Sequence, residues 1–163
     1  MDNLFLSAEE RLVSLLKERN LKISFAESCT GGLACSALVG VSNASLVLDA
    51  SFVTYSNDSK IRFLNVKKDT IDEFGVVSEE VAREMALGVC RVSGASIGVG
   101  ITGIAGPGGG TESKPVGMVC FGFNIQGEIT TKTVNFGDIG RNEVRADAAQ
   151  YAIKTLLYLL ENN

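Results

Sequence analysis

Residues 26–32, Ala-Glu-Ser-Cys-Thr-Gly-Gly, bring a carboxylate, a thiol and two hydroxyls together, with two glycines to turn the chain. Ile23 and Phe25 alternate before this stretch as in a half-buried strand, and Leu33, Ala34, Ala37 and Leu38 recur after it at helical spacing. Glu27, Ser28, Cys29 and Thr30 therefore fall at a strand–helix junction. The first amides of such a helix have no internal partners, and with the helix dipole they attract anions and developing negative charge. A cap needs one Ser or Thr, and here four reactive side chains are supplied. A second junction follows Phe52 and Val53, where Tyr55 and Lys60 lie near the start of another helix. A cation is electrostatically out of place there, so Lys60 should lose its proton more readily than a lysine in solvent. The alternative is an ordinary exposed lysine.

The chain contains no histidine. That removes Ser-His-Asp and Cys-His catalysis and every histidine-based metal site. A metal-free enzyme of this composition must use Lys, Asp, Glu or Tyr as its base, and serine with lysine is the best nucleophilic pair left. Cys29 is the rival nucleophile, but neighbours on an extended chain point opposite ways, so Ser28 and Cys29 cannot easily share one site.

A third region is the glycine-rich loop from Thr102 to Pro115. Residues 98–103 fit G-x-G-x-x-G, but the first two glycines lie within a strand and no helix follows, so a dinucleotide site is rejected. Lys114 precedes Pro115 rather than Ser or Thr, which excludes a P-loop. The loop can still form a nest of amides for a phosphate or oxyanion. Arg141 and Arg145 stand one turn apart at the start of the last helix, against its dipole. A bound anion would explain them, and so would a plain surface position.

The elements that must position these groups follow from pattern. A capping box at Ser7 and Glu10 opens a helix to Asn20. The spacing predicts strands over 22–26, 51–54 and 95–101, a hairpin of 116–123 with 128–136, and helices to Val39, from Asn57, over 66–74, from Ser78 to Arg91, and from Gly140 to Glu161. Gly98 and Gly100 share one strand face, so a helix can approach it closely. Glu79 and Glu80 complement the dipole of their helix. The order αβαβααβββα implies a three-layer α/β/α sandwich over a mixed sheet, with residues 1–163 as a single domain.

At 163 residues and 45% hydrophobic content the chain can bury a full core. The net charge of −4 argues against a generic nucleic-acid binder. No apolar run is long enough to span a membrane and no signal-peptide pattern opens the chain. Four scattered cysteines without a C-x-x-C pair fit a reducing cytoplasm.

Three blocks in order, residues 26–32, residues 53–57 with Lys60, and residues 100–107 through 114–117, resemble the CinA C-terminal domain family. Its members are nicotinamide-nucleotide amidases. The similarity runs over essentially the whole chain, which is too short to include the N-terminal molybdopterin-binding-like domain of full-length CinA proteins and so resembles the stand-alone, PncC-type form. The resemblance implies an anticodon-binding-domain-like α/β/α fold and hydrolysis of nicotinamide mononucleotide to nicotinate mononucleotide and ammonia. It implies a serine–lysine mechanism with no metal and no cofactor. Carried over by position, Ser28 is the nucleophile, Lys60 the general base and Tyr55 its partner. Glu27 is expected to bind ligand or anchor the turn, and Thr30, Gly31 and Gly32 to offer a cap or amide contacts. Thr102, Gly103, Gly106, Lys114, Arg141 and Arg145 are the remaining substrate-binding candidates, with the 5′-phosphate held by the glycine loop, Lys114 or the arginines. A homo-oligomer is expected, and any arginine could be supplied across its interface. Nucleic acid and membrane are not expected partners. A non-catalytic phospho-ligand-binding domain of the same fold is the alternative.

Overall fold

The computed structural model describes residues 6–162. Its order is α1 (Ala8–Glu18), β1 (Ile23–Glu27), α2 (Leu33–Val39), β2 (Phe52–Val53), α3 (Asn57–Leu64), α4 (Lys68–Phe74), α5 (Glu79–Ser93), β3 (Ile97–Gly103), β4 (Met118–Ile125), β5 (Glu128–Asn135) and α6 (Arg141–Glu161), with a 3-10 turn at Ala44–Leu46. Ser7 caps α1 in the expected box: its Oγ accepts from Glu10 N at 3.2 Å, and the Glu10 carboxylate accepts from Ser7 N at 2.8 Å.

The five strands form one sheet in the order β2-β1-β3-β4-β5. β1 runs parallel to both β2 and β3, whereas β3, β4 and β5 are antiparallel, so the sheet is mixed as the pattern requires. The apolar β4 is interior and the threonine-rich β5 lies at the edge. Ile97, Val99, Ile101, Val119, Phe121 and Phe123 face a core shared with α1, α2 and α6. Phe121 packs at a tilt against Tyr151 of α6, with ring centroids 4.7 Å apart. Burial of each such side chain contributes roughly 1.5–3 kcal/mol.

The opposite face is covered by α3, α4 and α5. There α5 lies against the sheet backbone itself. A Cβ at Gly100 would stand 2.3 Å from Ala82 O, and one at Gly122, its partner on β4, 2.4 Å from the same oxygen. Only glycine fits these facing positions.

Most boundaries shift by one or two residues from the sequence pattern, and three of the shifts have a clear cause. β2 shortens to two residues, as an edge strand paired on one side alone. β3 continues through Gly103, because β4 keeps pairing with it there opposite Val119. β4 begins at Met118 instead of Val116, since Gly117 turns the chain at φ +91. Among the described residues no helix is long and apolar enough to cross a membrane.

Candidate active site

Parallel strands β1, β2 and β3 bring their C-terminal ends to one edge of the sheet, where open α/β folds place ligands. Ser28 follows β1, Thr54 to Lys60 follow β2, and Thr102 and Gly103 end β3.

Ser28 continues the ladder by one bond, donating its N–H to Ile101 O at 3.0 Å. The chain then turns through Gly31 and Gly32, at φ +60 and +97, into α2. Gly32 is the N-cap and has no side chain to satisfy the free amides. Glu27 does so instead: Oε2 accepts from Gly32 N and Ala34 N at 3.0 and 3.2 Å, and Oε1 from Cys35 N at 2.8 Å. The buried carboxylate is held where the helix dipole favours it and does not line the cleft. Of its two expected roles, Glu27 fills that of anchoring the turn. Thr30 does not cap: its Oγ1 is buried without a hydrogen-bond partner, and its carbonyl accepts from Leu33 N.

Lys60 sits on the fourth residue of α3, whose N-cap Ser56 accepts from Ser59 N at 3.1 Å. Its side chain is not that of an exposed lysine, since the residue is 1% exposed. Nζ lies 2.9 Å from Ser28 Oγ, 2.8 Å from Thr54 O and 3.2 Å from Tyr55 O. Burial pushes the amine down to about 8. Ser28 is itself buried and lines the cleft. Cys29 packs against Gly103, where a Cβ would meet its Sγ at 3.0 Å. Burial pushes that thiol up to about 11, which leaves it protonated and a poor nucleophile.

The cleft above this pair holds about 430 Å³. It joins Ser28, Tyr55, Lys60, Thr102, Gly103, Gly106, Lys114 and Arg141, drawn from five separate stretches of sequence. Tyr55 touches Lys60 through its carbonyl rather than its phenol. The exposed phenol oxygen accepts from Arg141 Nη2 at 3.0 Å, and Arg141 Nη1 donates to Gly106 O at 2.7 Å. Lys114 Nζ donates to Phe74 O and, at 2.6 Å, to Val77 O. Glu27, Thr30, Gly31, Gly32 and Arg145 stand outside the lining. The sequence pattern missed Asn57 and the Gly75–Val77 turn, which also line the cleft. Val76 is drawn there because its carbonyl accepts from Thr102 Oγ1 at 2.9 Å, a contact between residues 26 apart that leaves no local signal. No three His, Cys, Asp or Glu side chains gather to hold a metal among the described residues.

Residues 6–160 match the CinA C-terminal domain. The chain belongs to that family. It is 48% identical over 147 residues to a CinA-like protein of Kosmotoga olearia, covering 90% of this chain and 35% of the relative. A CinA-like protein of Petrotoga mobilis is 46% identical over 157 residues, covering 96% and 38%. The chain thus spans little more than a third of the length of these curated relatives. Among solved structures, the competence/damage inducible protein CihA of Agrobacterium tumefaciens is similar, with a TM-score of 0.87, 40% identity and coverage of 97% of this chain and 99% of that one. A CinA-superfamily protein of Klebsiella pneumoniae gives a TM-score of 0.91 at 33% identity, covering 96% and 97%. In this CinA domain the serine–lysine pair and the arginine-rimmed cleft open on the same edge of the sheet.

Proposed function

We propose that this CinA domain hydrolyses the carboxamide of nicotinamide mononucleotide, giving nicotinate mononucleotide and ammonia in pyridine-nucleotide recycling. The contact that carries this reading is Ser28 Oγ to Lys60 Nζ at 2.9 Å, with the amine buried and its pKa near 8. The other two partners of Nζ are backbone carbonyls, which only accept. A neutral Lys60 therefore directs its two N–H bonds to Thr54 O and Tyr55 O. Its lone pair is left facing the one neighbour that has a proton to give, the Ser28 hydroxyl. Tyr55 thus orients the base by its main chain.

In the reaction, Lys60 accepts the Ser28 proton as Oγ attacks the amide carbon. The tetrahedral oxyanion falls to the Cys29 amide or to those of Thr102–Gly103, because Ser28 N, Gly31 N and Gly32 N already donate to Ile101 O, Ser28 O and Glu27. Each such donor is worth roughly 3–4 kcal/mol in comparable sites. Collapse breaks the C–N bond, and the proton on Lys60 goes to the departing nitrogen as ammonia. Water, with Lys60 again as base, then hydrolyses the Ser28 ester. The pyridinium charge of the substrate pushes Lys60 further toward its neutral form. Arg141 at the rim, with Lys114 and the glycine loop, suits the 5′-phosphate, since a guanidinium offers further N–H bonds beyond the two in use.

Ammonia release from nicotinamide mononucleotide tests the reading. The unchanged protein should release ammonia, Cys29→Ala should retain that activity, and Ser28→Ala should lose it. Activity surviving in Ser28→Ala refutes the mechanism. Tight binding of the nucleotide with no ammonia would instead mark a phospho-ligand-binding domain.

A further inference from the structure

Arg145 is half-buried against the turn that carries Ser28 and does not line the cleft. Its Nε donates to Cys29 O at 3.0 Å and its Nη2 to Thr30 O at 3.3 Å. Nη1 donates to Asn142 Oδ1 at 3.0 Å. All three guanidinium nitrogens are therefore engaged, two of them on the carbonyls that directly follow the nucleophile. A Cβ at Gly31 would lie 3.2 Å from Nη2, so this glycine both adopts the left-handed turn and leaves the guanidinium room.

We propose that Arg145 is a positioning residue that holds the Ser28 turn from α6, and that it is not a phosphate ligand. The proposal rests on Ser28 being the nucleophile. Two left-handed glycines make the turn intrinsically permissive, so its shape must be imposed from outside. Two opposite charges impose it. The Glu27 carboxylate accepts the amides of residues 32, 34 and 35 at the far end. The Arg145 guanidinium takes the carbonyls of residues 29 and 30 at the near end. Contact with two backbone carbonyls also accounts for a cation in the early turns of α6, where the dipole opposes it. Without that contact, Ser28 Oγ is no longer held at 2.9 Å from Lys60 Nζ.

The test measures Ser28 phosphonylation by a fluorophosphonate, followed by intact mass, beside kcat and KM for nicotinamide mononucleotide. Labelling reads the nucleophile without reference to the amide substrate. Arg145→Ala should slow labelling and kcat by about 100-fold, the usual cost of a misplacement near 1 Å. KM should stay within about threefold, as expected when transition-state geometry rather than uniform binding is lost. Dilute guanidinium, far below denaturing concentration, should restore both rates. Arg145→Lys should fall between, because an ammonium cannot reproduce the planar fork. A raised KM with unchanged kcat and labelling, abolished when nicotinamide riboside replaces the nucleotide, would make Arg145 a phosphate ligand and overturn the proposal. Loss of circular dichroism without guanidinium rescue would make it a fold-holding residue and overturn it equally. If the unchanged protein releases no ammonia but its Ser28 labels in an Arg145-dependent way, the positioning role stands and only the substrate assignment falls.

Discussion

Replacing Lys60 with Met removes the buried amine while keeping most of the side-chain volume, and the consequence for stability is pH-dependent. In the native state the amine titrates at about 8. In an unfolded chain it titrates at about 10.4. Between those values the unfolded chain holds a proton that the native state lacks, so native stability rises with pH. The penalty is fully present below pH about 8 and gone above about 10.4, with a slope of up to about 1.4 kcal/mol per unit between. Integrated from pH 7 to pH 10 this amounts to roughly 2.5 kcal/mol, trimmed to about 2 because the amine faces a solvent-filled cleft. The variant also leaves Thr54 O and Tyr55 O without their donor, at about 1 kcal/mol each. Lys60→Met should therefore match the unchanged protein within about 1 kcal/mol at pH 7 and trail it by about 2 kcal/mol at pH 10. Urea unfolding followed by circular dichroism suits a chain without tryptophan, with a reductant present for the four cysteines. Every other residue is common to both proteins, so the pH-dependent difference reports on the Lys60 amine. A difference that stays flat from pH 7 to pH 10 would show that the amine is not depressed, and the base assignment would fall with it.

Three further outcomes follow from the same geometry. Because Lys60 must be neutral to accept the Ser28 proton, kcat/KM for ammonia release should climb about tenfold per pH unit below pH about 8 and level off above it, and a flat profile would contradict this. Glu27→Ala strands three amides at the start of α2 and should cost about 3 kcal/mol, read as a loss near 10 °C in Tm, whereas Glu27→Gln keeps an acceptor and should cost about half as much. Gly100→Ala sets a methyl 2.3 Å from Ala82 O and should destabilise by about 3 kcal/mol, while Gly108→Ala, with nothing within 4 Å, should leave Tm unchanged in the same calorimetric scan.

The strand order is the part of the fold that the sequence left most open. Alternation and helical spacing placed every helix and strand within a few residues, because those periods are local. Gly98 and Gly100 on one strand face announced the close approach of α5 for the same reason. Pairing is not local: that β1 lies between β2 and β3 was not written in any one stretch, and it is this order that sets the two reactive junctions side by side. The shortening of β2 to Phe52–Val53 likewise reflects an edge with a single neighbour.

Residue type and spacing alone established a good deal about this protein. A chain without histidine that sets Ser28 at one strand–helix junction and Lys60 at another has few other ways to activate a hydroxyl. Tertiary structure decided what each side chain touches, because distance, burial and donor direction belong to no segment by itself. It turned Glu27 onto the α2 amides and Arg145 onto the carbonyls of residues 29 and 30, leaving Arg141 at the cleft. It gave Tyr55 a main-chain contact with Lys60 and put its phenol on Arg141. It also buried both Cys29 and Lys60, and burial acts oppositely on the two: it keeps the thiol protonated and inert, and it drives the amine toward the neutral form that a base requires.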